Sequence, residues 1–331
     1  MERNNRRTSG SSTLGRRAFL FAGAVAPLAR GVEPGKPSKT ALAAAAGRAI
    51  ASRDPNAETK CPDWMAARLI QRSDLDALTG SVTPTLYDLP WDEVLRRESA
   101  AGRYPYLNQT LRTMHIDAKI RAVTAEGLDE LVILGAGLDS RAYRMTKELA
   151  KVRVFEVDFP PTQEDKKRRL RTALASLPEN VTYTGIDFTK QTLDEVLLAA
   201  GHRPSAKVLF LMEAVTVYLP AEAVSTTLRF VAKNSARGGG IVFDYFDRRL
   251  LEGEGQTPYY KSNTATFRSW GEPQIFGIPG YDSQRYAEQH GLRLLSDYTL
   301  GELCLLHTPR LNPASLDYRR LYYRIAHAVV G

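Results

Sequence analysis

The stretch Leu131 to Arg144, reading LVILGAGLDSRAYR, constrains the fold of this chain more than any other. Leu131 to Leu134 are four branched apolar residues in a row, which suits a strand buried on both faces of a helix-covered parallel sheet. Gly135 and Gly137 then break the run, and glycine there lets the backbone take positive φ or approach a ligand closely. A helix is expected to follow, with its N-terminus aimed at that ligand.

From Leu131 onward the pattern alternates strand and helix, which implies parallel strands joined by crossover helices. The remaining strands are expected at Val152 to Val157, Val181 to Ile186, Val208 to Met212 and Ile241 to Tyr245, the last announced by Gly238-Gly239-Gly240 and preceded by a helix from about Ala221 to Asn234. The alternation then stops. Residues 248–280 are rich in Gly, Pro and aromatics and read as an insertion or lid. Its Tyr259, Tyr260, Phe267, Trp270 and Phe276 either line an apolar pocket or form a satellite core. A helix from Asp282 to His290 leads to two strands, Leu292 to Tyr298 and Leu303 to His307, whose four-residue spacing predicts a closing hairpin and an antiparallel last strand. The tail Ser315 to Val330 reads as a helix packing Leu316, Leu321, Tyr322, Ile325 and Val329.

Upstream of the sheet the chain is helical. The alanine-rich segment Ser38 to Ala51 has Ser38 as its N-cap. Helical signals recur at Asp63 to Gln71, at Leu89 to Ala101 and at Asn108 to Glu126, where Leu111, Met114, Ala118 and Ile120 take core-facing spacing. The organisation expected is therefore an extension over 1–37, a helical cap over 38–127, a ligand-binding core over 128–247, the insertion over 248–280, and final strands with a C-terminal helix over 281–331. No internal repeat is present.

The formal charge of +8 suggests a polyanion until it is located. Residues 1–40 hold eight Lys or Arg against Glu2 and Glu33, which leaves only +2 for the remainder. A folded body so near neutrality has no nucleic-acid footprint, so no nucleic-acid partner is expected. Within the extension, Gly15-Arg16-Arg17-Ala18-Phe19-Leu20 leads an apolar run that ends near Ala29, with small residues around Ala24 to Ala26. It has the form of a twin-arginine export signal, or equally of a disordered or loosely helical extension, and is too short to span a membrane. Cys61 and Cys304 form no CxxC pair, and the five histidines lack metal-ligand spacing, so neither a disulfide framework nor a metal site is expected.

Two ligands compete for the glycine turn. A dinucleotide and S-adenosyl-L-methionine both place adenosine at the C-terminal edge of such a sheet, and both need an acid at the end of the second strand for the ribose, a place taken by Asp158. Gly135 and Gly137 begin a GxGxxG pattern whose third glycine is replaced by Ser140. Asp139 would set a carboxylate near a diphosphate, whereas S-adenosyl-L-methionine carries a sulfonium and an ammonium and no phosphate. Further acids follow the next two strands. Asp187, beside Phe188, can accept from an adenine amino group while the aromatic covers the ring. Glu213 can meet an ammonium, and Arg112, in the preceding helix, can pair with a carboxylate. Singly, each has a plain structural role open to it as an N-cap, a loop charge or a solvated residue. Acids at three successive strand ends beside a glycine turn favour the methyl donor over NAD(P).

Together LGAGLDSRAYR, EVDFP followed by Lys166, the IDF turn and MEAVTVYLP resemble the leucine carboxyl methyltransferase family over about Ser38 to Asp247. The resemblance implies an α/β fold with a Rossmann-like class I methyltransferase sheet, and S-adenosyl-L-methionine as cofactor. It implies that Asp158 holds the ribose, that Asp187 and Phe188 hold the adenine, and that Glu213 and Arg112 hold the methionine end, with Gly135 and Gly137 beneath. Lys39 is similar to a donor-binding lysine of that family. Where many bacterial members carry a DPFA-like turn, this chain reads Cys61-Pro62-Asp63-Trp64.

Methyl transfer demands position and dryness more than acid or base chemistry. A carboxylate, with a reference pKa of about 4, is already ionised at neutral pH, whereas a phenol near 10 gains from a base. No residue stands out as a base, which points to a carboxylate or acidic hydroxyl on a small molecule or peptide. Tyr218 is the one acceptor-side candidate, with packing as its alternative role. Arg141 and Arg144 either orient an anionic acceptor or pair along their helix with Asp139 and Glu148. A donor made in the cytoplasm argues for a cytoplasmic protein, with export through Arg16-Arg17 as the alternative.

Overall fold

The computed structural model describes residues 38–187, 190–279 and 282–331. The twin-arginine-like segment and Phe188 therefore lie outside the described residues. Eight strands form one sheet: β1 (Glu130–Leu134), β2 (Arg153–Asp158), β3 (Val181–Gly185), β4 (Val208–Met212), β5 (Gly240–Asp247), β6 (Gly277–Ile278), β7 (Arg293–Thr299) and β8 (Tyr323–Val329). Their order is β3-β2-β1-β4-β5-β8-β7, with β6 paired to β5 beyond that path. The sheet is parallel from β3 to β5, and β8 runs antiparallel to both β5 and β7.

The expectation of a doubly covered sheet holds. All five residues of β1 are buried, and their side chains alternate between two cores. Leu131 and Ile133 join Leu209, Leu211 and Val242 on one face, while Val132 and Leu134 join Phe155, Phe210 and Phe243 on the other. Burying each such side chain contributes about 1.5–3 kcal/mol, so a polar residue in this run would weaken a face directly. The helix Lys39–Ala51 is capped by Ser38, whose side chain accepts from the Ala41 N–H, and the long helix Leu107–Ala125 runs into β1.

Four expectations are corrected. The glycine turn is followed by a single helical turn, Arg141–Arg144, too short to direct a dipole at a ligand. Residues 248–280 contain a regular helix, Pro258–Ser269, capped by Thr257. Residues 300–307 form a helix and not a strand: Thr299 and Glu302 make a reciprocal capping box at its start, a pattern already visible as T-x-x-E. The tail is only briefly helical at Arg319–Tyr322 and then becomes β8, which is buried along its whole length because it fills the gap between β5 and β7. The antiparallel last strand was expected, but it is 323–329 and not 303–307. Among the described residues no helix is long and apolar enough to cross a membrane.

Candidate functional site

The C-terminal edge of the parallel strands opens into a cavity of about 1190 Å³, above the ~300–1,000 Å³ of an ordinary small-molecule pocket and so roomy enough for two ligands side by side. Arg112, Gly135, Gly137, Asp158, Asp187, Glu213 and Tyr218 all face it. Lys39 does not, although Ser38, Thr40 and Ala41 on either side of it do.

Beyond β1 the chain turns through Gly135 and Gly137 with φ of +68° and +39°, a region where a Cβ costs roughly 1–2 kcal/mol. Space is short as well. A Cβ on Gly135 would lie 2.6 Å from Val215 Cγ2, and one on Gly137 would lie 3.3 Å from Ala41 Cβ. The turn is thus a backbone cradle wedged between the loop after β4 and the N-terminal helix. Asp158, ending β2, closes it by accepting from the Gly137 N–H and from the Phe159 N–H. Burial raises the Asp158 carboxyl above its ordinary value despite those two donors.

Asp187 follows β3 and lies 3.2 Å from Lys190. Glu213 follows β4 and is gripped twice, by Arg112 Nε at 2.6 Å and by Arg141 Nη1 at 2.5 Å. Burial alone would push its carboxyl up, but Arg141 and Arg112 outweigh that and hold it well below the usual carboxylate range. Arg112 directs its other nitrogens to Tyr323 Oη at 2.9 Å and Gln109 Oε1 at 2.7 Å. The next residue, Ala214, has φ +56°, unusual for a side-chain-bearing residue. Its N–H is held by both Asp244 oxygens, at 2.9 and 2.8 Å. Asp244 also accepts from Tyr323 Oη, and burial pushes its carboxyl up to about 6.

A buried network behind the turn sets these positions. Arg141 pairs with Asp139 and, at 2.9 Å, with Asp117. Arg144 also grips Asp117, at 2.6 and 2.8 Å. Of the two roles expected for them the pairing one holds: Arg141 takes Asp139 as expected, whereas Glu148 pairs with Arg121 and Arg144 takes Asp117 instead. Asp63, from the Cys61-Pro62-Asp63-Trp64 turn, accepts from Ser140 Oγ at 2.5 Å and Arg48 Nε at 2.7 Å. That turn therefore ties the cap to the glycine loop.

The insertion roofs the cavity. Glu272 accepts from Ser38 Oγ at 2.6 Å, the Lys39 N–H at 2.9 Å and Thr40 Oγ1, capping the N-terminal helix from outside. Trp270 Nε1 donates to the Thr79 carbonyl at 3.1 Å, and Trp270 packs with Leu42, Ala45, Ala46, Leu75, Leu78 and Leu138. The insertion's aromatics divide among three places, Trp270 and Phe267 joining a small satellite core that also borders the cavity. Tyr259, Phe267 and Trp270 line the cavity, while Tyr260 and Phe276 belong to the two faces of the main core. Tyr218 lies beside Thr40, Gln274 and Glu272, and burial raises its phenol, so it is a neutral hydroxyl at physiological pH.

Sequence reasoning missed Asp63, Asp117, Asp244, Glu272 and Tyr323 as parts of this site. Asp244 carried a signal, a lone acid inside the apolar run IVFDYF. The others had none, because their partners lie far away in the chain.

The cavity wall holds eight carboxylates (from Glu98, Asp139, Asp158, Asp187, Glu195, Glu213, Glu222 and Glu272) against five cations (Arg48, Arg103, Arg112, Lys190 and Arg319). Such a wall fits a phosphate-free, cationic ligand and disfavours a diphosphate. Similar proteins agree on the fold and the family. A profile of the leucine carboxyl methyltransferase family matches residues 41–232. A Streptomyces coelicolor protein provisionally named an S-adenosyl-L-methionine-dependent methyltransferase is 32% identical over 53% of this chain and 60% of its own length. A Bacillus subtilis protein of the same provisional name is 30% identical over 50% of this chain and 54% of its own. The chain thus spans between half and two thirds of these two relatives. The crystal structure of a DUF574 family protein from Streptomyces avermitilis, 14% identical, superposes over 80% of this chain and 97% of that one with a TM-score of 0.50, a likeness of fold. With the family profile running from the N-terminal helix through the glycine turn and all three strand-end acids, the chain belongs to the leucine carboxyl methyltransferase family.

Proposed function

We propose that this protein is an S-adenosyl-L-methionine-dependent O-methyltransferase acting on a carboxylate or acidic hydroxyl of a small molecule or peptide. The observation that carries the reading is the meeting of Asp158, Asp187 and Glu213 with the Gly135 and Gly137 cradle in one acidic cavity. When bound, the donor supplies a sulfonium methyl group: its S–CH3 bond breaks as the acceptor's O–CH3 bond forms, and sulfur keeps the electron pair as a thioether.

The protein's part is to hold and to exclude. Asp158 and Asp187 accept from ribose hydroxyls and an adenine amino group, and Glu213 with Arg112 presents paired charges to the amino-acid end. Glu272, Trp270 and the N-terminal helix keep water out, which strengthens every charge interaction within. The described wall contains no histidine or cysteine, and Tyr218 is a neutral phenol, so an acceptor oxygen already ionised at neutral pH suits this cavity best. Because the donor is a cytoplasmic metabolite, the cytoplasm is the compartment that fits this reading.

Calorimetry tests the donor. S-adenosyl-L-methionine and S-adenosyl-L-homocysteine should both give binding heats, whereas silence from both with heat from NAD or NADP would overturn the reading in favour of an oxidoreductase. Mass spectrometry of an extract incubated with labelled donor then reports the methylated oxygen. Donor binding without transfer across carboxylate and phenol panels would mean a silent binding module.

A further inference from the structure

Four arginines line the cavity: Arg48, Arg103, Arg112 and Arg319. Three are neutralised by carboxylates. Arg48 meets Asp63 at 2.7 Å, Arg103 meets Glu98 at 2.9 and 3.0 Å, and Arg112 meets Glu213 at 2.6 Å. Arg319 differs, having no carboxylate within ion-pair distance among the described residues. Its guanidinium instead lies over two phenol rings, 4.6 Å from the centroid of Tyr318 and 5.3 Å from that of Tyr259. Tyr318 is 4% exposed, and the Tyr259 ring also receives Arg103 at 4.4 Å.

The placement of this cation matters. Asp158, Asp187 and Glu213 make the sheet edge of the cavity acidic. Arg319 lies on the short segment before β8, among tyrosines from the insertion and the tail. Asp317, two residues earlier, is engaged by Thr257 Oγ1 at 3.1 Å. Tyr259 takes one of the Arg319 N–H groups, stacking holds the planar guanidinium in one orientation, and its remaining N–H donors suit capture of a carboxylate. Arg319 is partly buried, and a partly desolvated cation gains from an anion that completes it.

Granted the methyl-transfer reading above, we infer that Arg319 is a specificity-determining residue that selects an organic acid with a flat, aromatic body: its guanidinium, seated on Tyr318, holds the acid's anion, and Tyr259 lies beside the ring. The donor occupies the acidic half of the cavity and the acceptor this cationic, aromatic half.

The test titrates benzoate, 1-naphthoate and 2-naphthoate, each beside its neutral amide, into the full chain saturated with S-adenosyl-L-homocysteine. The acids should bind at least tenfold more tightly than their amides. Arg319→Met should abolish that preference while leaving affinity for S-adenosyl-L-methionine within twofold, and Arg319→Lys, which keeps the charge without the fork, should fall between. Thermal melts of both variants separate misfolding from lost recognition, and the Lys variant serves if the Met variant does not fold. Equal binding of acids and amides, or an unchanged preference in Arg319→Met, would overturn the inference while donor binding stood. Absence of donor binding in the wild type would instead overturn the methyl-transfer reading beneath it.

Discussion

Arg112 and Glu213 lie 101 residues apart in the chain and 2.6 Å apart in space, Arg112 buried and the Glu213 side chain 9% exposed, and they join the cap helix to the end of β4 at the cavity wall. Removing Glu213 strips the buried Arg112 of its nearest counterion and leaves it Asp244 at 3.9 Å, so the cost approaches but does not exceed the about 3–5 kcal/mol of a fully unpaired buried charge. Glu213→Gln is therefore expected to lower the urea midpoint sharply, with a loss of that order, and to weaken donor binding in the protein that remains folded. Wild-type stability in this variant would show that Asp244 suffices as counterion for Arg112, and Asp117 and Asp139 for Arg141.

Gly135 combines positive φ with a wall 2.6 Å from a would-be Cβ. Gly135→Ala should destabilise the fold by more than the ~1–2 kcal/mol of backbone strain alone. Adding Val215→Ala should return the steric part and not the conformational part. Melts of the single and double variants measure the two contributions, and full rescue by Val215→Ala would show that φ strain contributes nothing.

Asp158 accepts two backbone N–H groups that shape the turn. Asp158→Ala should weaken both S-adenosyl-L-methionine and S-adenosyl-L-homocysteine by at least tenfold, about 1.4 kcal/mol. Asp158→Asn, which retains one acceptor oxygen, should lose less. Calorimetry of the three proteins reads the order directly, and equal affinities would remove Asp158 from the ribose site.

Glu272 is the outside cap of the N-terminal helix. Its loss in Glu272→Ala should cost about 0.5–2 kcal/mol, the usual range for a helix cap. The variant should also release bound S-adenosyl-L-homocysteine faster by loosening the roof. Stopped-flow dissociation checks the second effect, and an unchanged off-rate would mean that the roof does not gate the donor.

Away from the cavity, burial pushes His115 down to about 3 and His327 to about 4. In the unfolded chain an imidazole titrates near 6.5, so between these values the unfolded state binds protons that the folded state excludes. The stabilising contribution is complete above pH 6.5 and is lost progressively as pH falls toward 4 and then 3. The urea midpoint should drop from pH 7 to pH 5, and less steeply in His115→Phe. Equal slopes in the two proteins would place the pH dependence elsewhere.

Much of the cavity's sheet edge was legible because strand-end motifs are local. An apolar run followed by glycines, and an acid just past each of three strands, survive translation from one dimension to three: a parallel sheet places all its C-terminal ends on one edge. The C-terminal region was misread for the converse reason. Residues 300–307 and 323–329 carry similar apolar content, and period alone does not separate a short buried strand from a short buried helix. The capping box at Thr299 and Glu302 decides the first. The second becomes a strand only because β5 and β7 leave a slot between them.

By itself the sequence determined the α/β class, the glycine cradle, and the acids that face it, since all three follow from residues adjacent in the chain. Tertiary structure decided which charges are free. Five acids and arginines around Glu213 and Asp117 neutralise one another across segments more than twenty residues apart, and no spacing rule predicts which partner a buried charge will find. Only after those pairs are formed does Arg319 stand out, because a cation's chemistry depends on whether an anion already lies within reach.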